Sequence, residues 1–205
     1  MTALFIYILI YGLLFLILEI IKRTKTFSTD STRSIIHTSS ALIACTFPFY
    51  LPLTYVIFLS SFFFIFLIIS KHSTLLKSIH SVERKTWGEI YFPLGILIIA
   101  YAFLPNHIIN YEIAILIFGI SDVLANITGK YYGSHPFSFL KCKKTIEGSL
   151  AFFISTFIIL VVLNNNLFVS LFISLIVAII ESISPYGSDN LTVPIVTSIL
   201  LTITR

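Results

Sequence analysis

Long uninterrupted apolar runs constrain the fold of this chain more than any other feature. A helix needs about 20 apolar residues to cross the hydrocarbon core of a bilayer. Hydrophobic residues make up 57% of the 205 residues and charged residues only 11%, which excludes an ordinary water-soluble globule. The runs lie at about residues 3–21, 34–51, 53–70, 88–104, 109–128, 146–163, 167–180 and 191–203.

This pattern predicts an all-α polytopic membrane protein with about eight transmembrane helices in one compact bundle. We expect residues 1–205 to form a single integral-membrane domain, because the connections between the runs are short. The first run lacks the basic leading segment and the small-residue cleavage site of a signal peptide, so we expect it to be a helix of the mature protein.

Positive charge is concentrated in three connections of the chain. Of the 13 Lys and Arg residues, 12 lie within residues 22–33, 71–85 and 130–144. The positive-inside rule then places these connections in the cytoplasm. The net charge of +4 is therefore chiefly a topology signal and does not indicate nucleic-acid binding. A fourth connection on the same side, SISPYGSDN, is acidic, which favours a bound divalent cation.

The stretch GISDVLANITGKYYGSHPFSFLKCKKTIEGS, residues 119–149, carries the strongest functional signal. A carboxylate such as Asp122 costs about 2.5–3.5 kcal/mol at the centre of a bilayer on insertion scales, so it must face protein, water or an ion. If the segment is one helix, its small and polar residues share one face. These residues are Gly119, Asp122, Asn126, Gly129, Lys130 and Gly133. The alternatives are that the glycines only permit close helix packing and that Asp122 is a structural hydrogen-bond partner.

The segment KKTIEGS is predicted to begin the next apolar helix. Thr145 is a favourable N-cap, and Glu147 falls in the first turn. Backbone N–H groups at such a helix start attract phosphate, and Lys143 and Lys144 would add positive charge. The alternative is an ordinary capped helix that follows two topogenic lysines. We expect the preceding connection, with Pro136 and several phenylalanines, to be a loop against the membrane surface.

The unusual polar groups of the chain all fall at the predicted cytoplasmic ends of apolar runs. Carboxylates that hold Mg²⁺, together with lysines and a helix start that hold phosphate oxygens, are what phosphoryl or nucleotidyl transfer requires. The chain contains neither a Walker A sequence nor a kinase Gly-rich loop. A nucleotide site at the membrane surface implies an acceptor dissolved in the bilayer, most simply a lipid alcohol.

These motifs resemble those of the CTP-dependent lipid kinases, which include dolichol kinase, phytol and phytyl-phosphate kinases and the CTP-dependent diacylglycerol kinase. The resemblance rests on SDVLANITGKYYG, on KKTIEGS, and on Glu181 followed by DNLTVP. It extends to Arg33, His37 and the Gly-Glu pair at 88–89, so it covers most of the chain from residue 33. It implies transfer of the terminal phosphate of CTP to an isoprenoid or glycerolipid alcohol with Mg²⁺ as cofactor. We expect a dolichol, polyprenol or phytol type of acceptor.

The residues and the resemblance together define the predicted site. The predicted catalytic residues are Asp122, Glu147 and Lys144. The predicted nucleotide- or phosphate-binding residues are Gly129, Lys130, Gly133, Lys143, Lys144, Thr145, Gly148 and Asn190. The predicted metal ligands are Asp122, Glu147, Glu181 and Asp189, and the possible accessory residues are Arg33, His37 and Glu89. Two of the accessory residues also have simpler interpretations, because His37 could be a packing residue and Glu89 could be favoured by the helix dipole alone.

Two other functions are compatible with parts of the pattern. Phosphatidate cytidylyltransferases share a related KKTxEG signature, but they make a CDP-lipid and release pyrophosphate. A non-enzymatic transporter is the second alternative. It should show interrupted helices at the middle of the membrane and internal repeats, whereas here the polar groups collect at one surface.

Overall fold

The computed structural model describes residues 1–23, 29–73, 86–139, 142–163 and 166–204. The helices in these ranges are α1 (Thr2–Arg23), α2 (Thr29–Cys45), α3 (Phe47–Tyr50), α4 (Leu53–Ser73), α5 (Gly88–Phe103), α6 (Ile108–Leu116), α7 (Asp122–Tyr132), α8 (Ile146–Val162), α9 (Leu167–Ile183) and α10 (Asp189–Ile203). A π-helical turn (Ile117–Ser121) joins α6 to α7, and a 3₁₀ turn (Pro185–Gly187) lies between α9 and α10. Two short strands, β1 (Pro136–Phe139) and β2 (Cys142–Thr145), lie between α7 and α8.

The helices have the length and composition of a membrane protein. Within the described ranges, Thr2–Arg23, Leu53–Lys71 and Ile108–Tyr132 are long and apolar enough to cross a bilayer. The shorter apolar helices are α5, α8, α9 and α10. Large hydrophobic side chains such as Phe5 and Phe168 are 64% and 79% exposed, as expected for a surface that meets lipid. The prediction of an all-α fold with apolar helices long enough to span a membrane is confirmed.

The predicted second run, residues 34–51, differs from the observed helix. The helix α2 ends at Cys45, and the chain turns at Thr46, whose hydroxyl donates to the carbonyl of Ile43 over 2.7 Å. Pro48 lies in the first turn of α3. Proline has no N–H to continue α2, but it is tolerated at the start of a helix.

The two largest buried clusters of side chains hold most of the helices together. One cluster lies among α1 to α6 and includes Phe47, Leu59 and Ile99, and the other lies among α6 to α10 and includes Phe152 and Ile173. Buried tyrosines in the first cluster are satisfied by backbone carbonyls. Their hydrogen bonds are Tyr11 to the Ser40 carbonyl over 3.0 Å and Tyr111 to the Ala44 carbonyl over 3.1 Å.

The π-helical turn changes the direction in which the side chains after it, including Asp122, point around the helix axis. It frees backbone carbonyls, which then find partners on α2. Thr38 donates to the Gly119 carbonyl over 3.0 Å, and His37 Nε2 lies 3.2 Å from the Phe118 carbonyl. A Cβ atom at Gly119 would lie 2.3 Å from the Cβ of Ala41, so this glycine permits close contact with α2.

The small and polar residues predicted to share one helix face, from Gly119 to Gly133, therefore contact two different parts of the protein. Its beginning faces α2, whereas Cβ atoms built at Gly129 and Gly133 would lie 2.9 and 2.6 Å from side-chain atoms of Thr145. The interpretation of the glycines as packing residues is the one that these contacts support.

The segment predicted as a loop before KKTIEGS contains an antiparallel β-hairpin. Phe137 pairs with Lys144, and Ser138 pairs with Lys143. Side chains alternate between the two faces of a strand. Cys142 is buried, Lys143 is exposed and Lys144 is half-buried, so the strand separates the two lysines and directs Lys144 into the protein.

Candidate active site

Three carboxylates from three helix ends meet in one cluster. Asp122 begins α7, Glu181 lies in the last turn of α9, and Asp189 begins α10. One oxygen from each lies within 4.8 Å of the other two. Their side chains are 14%, 2% and 12% exposed. Carboxylates this close in a shielded site repel one another, so the cluster requires positive charge.

Lys144 supplies part of that charge. Its Nζ donates to Glu181 Oε1 in a short hydrogen bond and to Asp189 Oδ2 over 3.2 Å. Burial alone would lower the pKa of Lys144, but the carboxylates of Asp189 and Glu181 outweigh this effect and raise it well above its usual value. Lys144 is therefore a permanent cation at neutral pH.

The cluster holds more acidic than basic groups after this pairing. With all three carboxylates ionised, they and the Lys144 ammonium would carry a formal charge of −2. Glu181 Oε2 is also buried and accepts no hydrogen bond from the residues that the structure describes. Oxygen ligands with unsatisfied negative charge suit a hard divalent cation such as Mg²⁺, so Asp122, Glu181 and Asp189 could hold one.

His37 and Asn126 flank Asp122. The Nε2 atom of His37 lies 3.8 Å from Asp122 Oδ2. Asn126 Nδ2 donates to Asp122 Oδ2 over 3.2 Å and to the Asp122 carbonyl over 2.9 Å. The His37 ring also packs against Phe92 and Phe118, with centroids 5.4 and 4.3 Å away. His37 is therefore both a packing residue and a neighbour of the carboxylate cluster.

Asn190 connects the cluster to the start of α5. Its Nδ2 donates to the Gly88 carbonyl over 2.7 Å, and its backbone N–H donates to Asp189 Oδ1 over 3.0 Å. A Cβ atom at Gly88 would lie 2.7 Å from Asn190 Nδ2 and 2.8 Å from Arg33 Nη2. Arg33 also donates to Thr86 Oγ1 over 3.4 Å. The absence of a side chain at position 88 thus allows Arg33 and Asn190 to approach the same point.

Thr86 belongs to this site, although the motif analysis did not select it, and it contacts the turn after α9, which the analysis did select. The Tyr186 carbonyl accepts hydrogen bonds from Trp87 N over 2.9 Å and from Thr86 Oγ1 over 3.2 Å. Tyr186 and Gly187 have φ values of 55° and 81°, in the left-handed region that glycine favours. The Pro-Tyr-Gly sequence is a signal for such a turn, but it does not reveal the partner of the turn.

Glu89 does not join the carboxylate cluster. It pairs with Lys71 Nζ over 2.7 Å, and Lys71 also donates to the Thr86 carbonyl over 2.5 Å. The Lys71 ammonium lies 4.4 Å from the centre of the Trp87 ring. This pair joins the end of α4 to the beginning of α5.

The start of α8 is capped as predicted. Thr145 Oγ1 accepts a hydrogen bond from Gly148 N over 3.1 Å. A Cβ atom at Gly148 would lie 2.9 Å from the Ala125 carbonyl, so Gly148 and Gly129 let α7 and α8 cross closely. Their predicted contact with phosphate stays a prediction, as does that of Gly133.

Glu147 lies apart from the other predicted metal ligands. Its Oε1 atom accepts a hydrogen bond from the backbone N–H of His135 over 3.1 Å. The same atom lies 2.6 Å from His135 Nδ1. This contact ties the start of β1 to the start of α8. Lys130 and Lys143 are exposed, so a soluble ligand can reach both. The structure thus gathers Asp122, Glu181, Asp189 and Lys144, but it does not bring Glu147 into that group.

One comparison with known proteins supports the family resemblance. A phytol kinase from Synechocystis sp. is 28% identical to this chain over 137 residues. The match covers 62% of this chain and 59% of the phytol kinase, so the chain spans less than two thirds of that relative's length. No family model matches, and no solved structure matches. This chain, whose acidic and basic side chains meet at the ends of apolar helices, is thus similar to a protein that is, by its name, a phytol kinase.

Proposed function

We propose that this protein is a CTP-dependent kinase that transfers the terminal phosphate of CTP to an isoprenoid alcohol in the membrane, of the dolichol, polyprenol or phytol type. The observation that carries the proposal is the shielded cluster of Asp122, Glu181, Asp189 and Lys144 at the ends of apolar helices. The similarity to a phytol kinase supports the reaction type.

Mg²⁺ is the proposed cofactor, held by two of the three clustered carboxylates of Asp122, Glu181 and Asp189. Bound there, it would offset charge on the triphosphate and orient it for transfer. Because Mg²⁺ usually takes only one or two carboxylates in addition to water and phosphate oxygens, one of the three carboxylates is available for another role. We assign that role to Asp122, which lies beside His37 and is more exposed than Glu181.

The phosphates of CTP are proposed to lie between the carboxylate cluster and the start of α8. Lys144 remains charged because of its two carboxylate partners, and Lys143 offers an exposed ammonium one residue away. The first backbone N–H groups of a helix attract phosphate. By the positive-inside rule, this site would face the cytoplasm, where nucleotides are available.

In the proposed reaction, the acceptor hydroxyl gives its proton to the Asp122 carboxylate as its oxygen attacks the γ-phosphorus. The bond from the γ-phosphorus to the bridging oxygen breaks, and CDP leaves. His37 Nε2, 3.8 Å from Asp122 Oδ2, would orient the hydroxyl towards the carboxylate. Asp122 is preferred to Glu147 as the general base because Glu147 is engaged by His135.

The test is transfer of label from CTP to lipid by the purified protein in lipid nanodiscs. CTP and ATP labelled at the γ-phosphate are each offered with phytol, farnesol, geranylgeraniol, dolichol and diacylglycerol. We expect label from CTP to appear in the phosphate of an isoprenoid alcohol. Release of the label as pyrophosphate, with formation of a CDP-lipid, would instead identify a cytidylyltransferase, and the absence of any transfer would contradict the kinase proposal.

A further inference from the structure

An aromatic cavity lies beside the carboxylate cluster. Its volume is about 60 Å³, and its walls come from α1 to α5 and the first turn of α10. Apolar side chains form most of its lining, including Phe15, Leu59, Phe63, Phe92 and Ile96. A cavity with such walls accepts a hydrocarbon chain at little cost in desolvation.

Charged and strongly polar groups line only one end of this cavity. Arg33 and His37 lie in the first nine residues of α2, and Glu89 and Asn190 lie in the first turns of α5 and α10. Along α5 the lining runs from Glu89 to Ile96, about 10 Å at 1.5 Å per residue. The cavity therefore has a polar end and an apolar body, which is the distribution of polarity in an amphiphile with a small head.

His37 connects the two sites. It lines the polar end of the cavity, and its Nε2 lies 3.8 Å from Asp122 Oδ2 in the carboxylate cluster. A hydroxyl that contacts His37 at the polar end of the cavity would thus lie next to the side chain that neighbours Asp122, its proposed proton acceptor. Phe92 lines the cavity as well and packs on the His37 ring, which orients that ring.

We infer that this cavity is the acceptor site and that it binds the hydroxyl-bearing end of one isoprenoid alcohol. The hydroxyl lies at His37, and the first prenyl units lie against Phe15, Phe63 and Leu59. The inference rests on the proposed function, and it adds the location and the shape of the acceptor site.

The lining of the cavity favours a single prenyl chain over a diacylglycerol. A diacylglycerol would bring two acyl chains and two ester groups to the same place. Ester groups would also need hydrogen-bond donors along the apolar body, where the side chains are aromatic and aliphatic apart from Tyr11, Ser40 and Ser60. The methyl branches of prenyl units pack well against aromatic rings.

The position of Ser60 allows a direct test. Its side chain lines the cavity, and its buried Oγ has no hydrogen-bond partner among the described residues, so its replacement breaks no described hydrogen bond. Ser60→Phe would fill the cavity from α4. Ser61→Phe is the matched control, because Ser61 is the next residue of the same helix and does not line the cavity.

The measurement is the KM for geranylgeraniol, for the short alcohol prenol and for CTP. We expect Ser60→Phe to raise the KM for geranylgeraniol by roughly tenfold or more, to affect prenol less, and to leave the KM for CTP unchanged. Ser61→Phe should behave as the wild type. An unchanged KM for geranylgeraniol in a folded Ser60→Phe protein would overturn the inference, and so would a preference for diacylglycerol.

A second pair of variants truncates side chains instead of filling the cavity. Phe63 lines the cavity, whereas its neighbour Phe62 is 44% exposed and does not. Phe63→Ala should raise the KM for geranylgeraniol several-fold, because it removes apolar contact with the chain, and Phe62→Ala should not. This pair decides the question if Ser60→Phe does not fold. Equal effects of Phe63→Ala and Phe62→Ala would overturn the inference.

The two proposals fail in different ways. If the wild-type protein phosphorylates no alcohol, the proposed function is wrong. If it phosphorylates prenyl alcohols but the cavity variants match their controls, only the acceptor site is wrong.

Discussion

The ammonium of Lys144 donates a hydrogen bond to Asp189 Oδ2 over 3.2 Å, across 45 positions of the chain. This contact brings the second strand of the hairpin to the first turn of α10. Because the same ammonium also bonds to Glu181, one cation joins the second strand to both α9 and α10. The stability of the site and its chemistry therefore depend on the same side chain.

Replacement of Lys144 by Met should remove activity and also destabilise the protein. Loss of one partner from a shielded ion pair typically costs about 3–5 kcal/mol, because the remaining charges are left uncompensated. Lys143→Met is the control for stability only, since Lys143 is exposed on the other face of the strand but is also a proposed phosphate contact. Thermal unfolding in detergent measures the first effect, and transfer of labelled phosphate measures the second. If the two variants unfolded at the same temperature, the assigned role of Lys144 would be refuted.

Asp122→Asn should abolish phosphate transfer without preventing membrane insertion. The amide keeps the shape of the side chain but cannot accept the proton of the acceptor hydroxyl, and loss of a general base typically lowers kcat by about 10²–10⁴. Glu112→Gln is the matched control, because Glu112 lies in the same apolar segment but outside the carboxylate cluster. The measurement is kcat in nanodiscs at equal amounts of folded protein. An active Asp122→Asn enzyme would be incompatible with our assignment.

Addition of Mg²⁺ should raise the unfolding temperature of the wild-type protein over that in EDTA. A ligand at about 100 times its Kd stabilises the folded state by about 2.7 kcal/mol. Asp189→Asn and Glu181→Gln should each reduce this shift, because they remove proposed ligands. Glu147→Gln is the comparison variant, because Glu147 was also predicted to be a metal ligand but contacts His135 and not the cluster. A shift that survives in Asp189→Asn and Glu181→Gln but disappears in Glu147→Gln would place the ion elsewhere.

Gly88→Ala should impair the site through a steric effect. The added methyl group would lie 2.7 Å from Asn190 Nδ2 and 2.8 Å from Arg33 Nη2. Overpacking of this kind typically costs about 1–3 kcal/mol, and here it would also displace two predicted site residues. Gly12→Ala is the control, because a Cβ atom at Gly12 meets nothing within 4 Å. Unfolding temperature and kcat/KM should both fall for Gly88→Ala only, and equal values for the two variants would argue against a close approach at Gly88.

Local patterns in the sequence were sufficient for the class of fold and for several residues of the site. Apolar runs of transmembrane length predict membrane helices, because a buried backbone in lipid must satisfy its own hydrogen bonds. The cap at Thr145 follows from its position before an apolar run, and the structure confirms it. Asp122 stands out for a similar reason, since a carboxylate in an apolar segment requires a polar partner.

Only the tertiary structure decided which of the candidate residues meet. Glu147 and Glu181 were equivalent candidates in sequence, yet Glu181 joins Asp122 and Asp189 whereas Glu147 binds His135. The register of the hairpin directs Lys144 inward and Lys143 outward, and the π-helical turn brings the carbonyls of residues 118 and 119 to α2. Hydrophobic periodicity and capping report on interactions within a few residues of the chain. The pairing of charges depends instead on how separate helices pack, and that is a property of the whole fold.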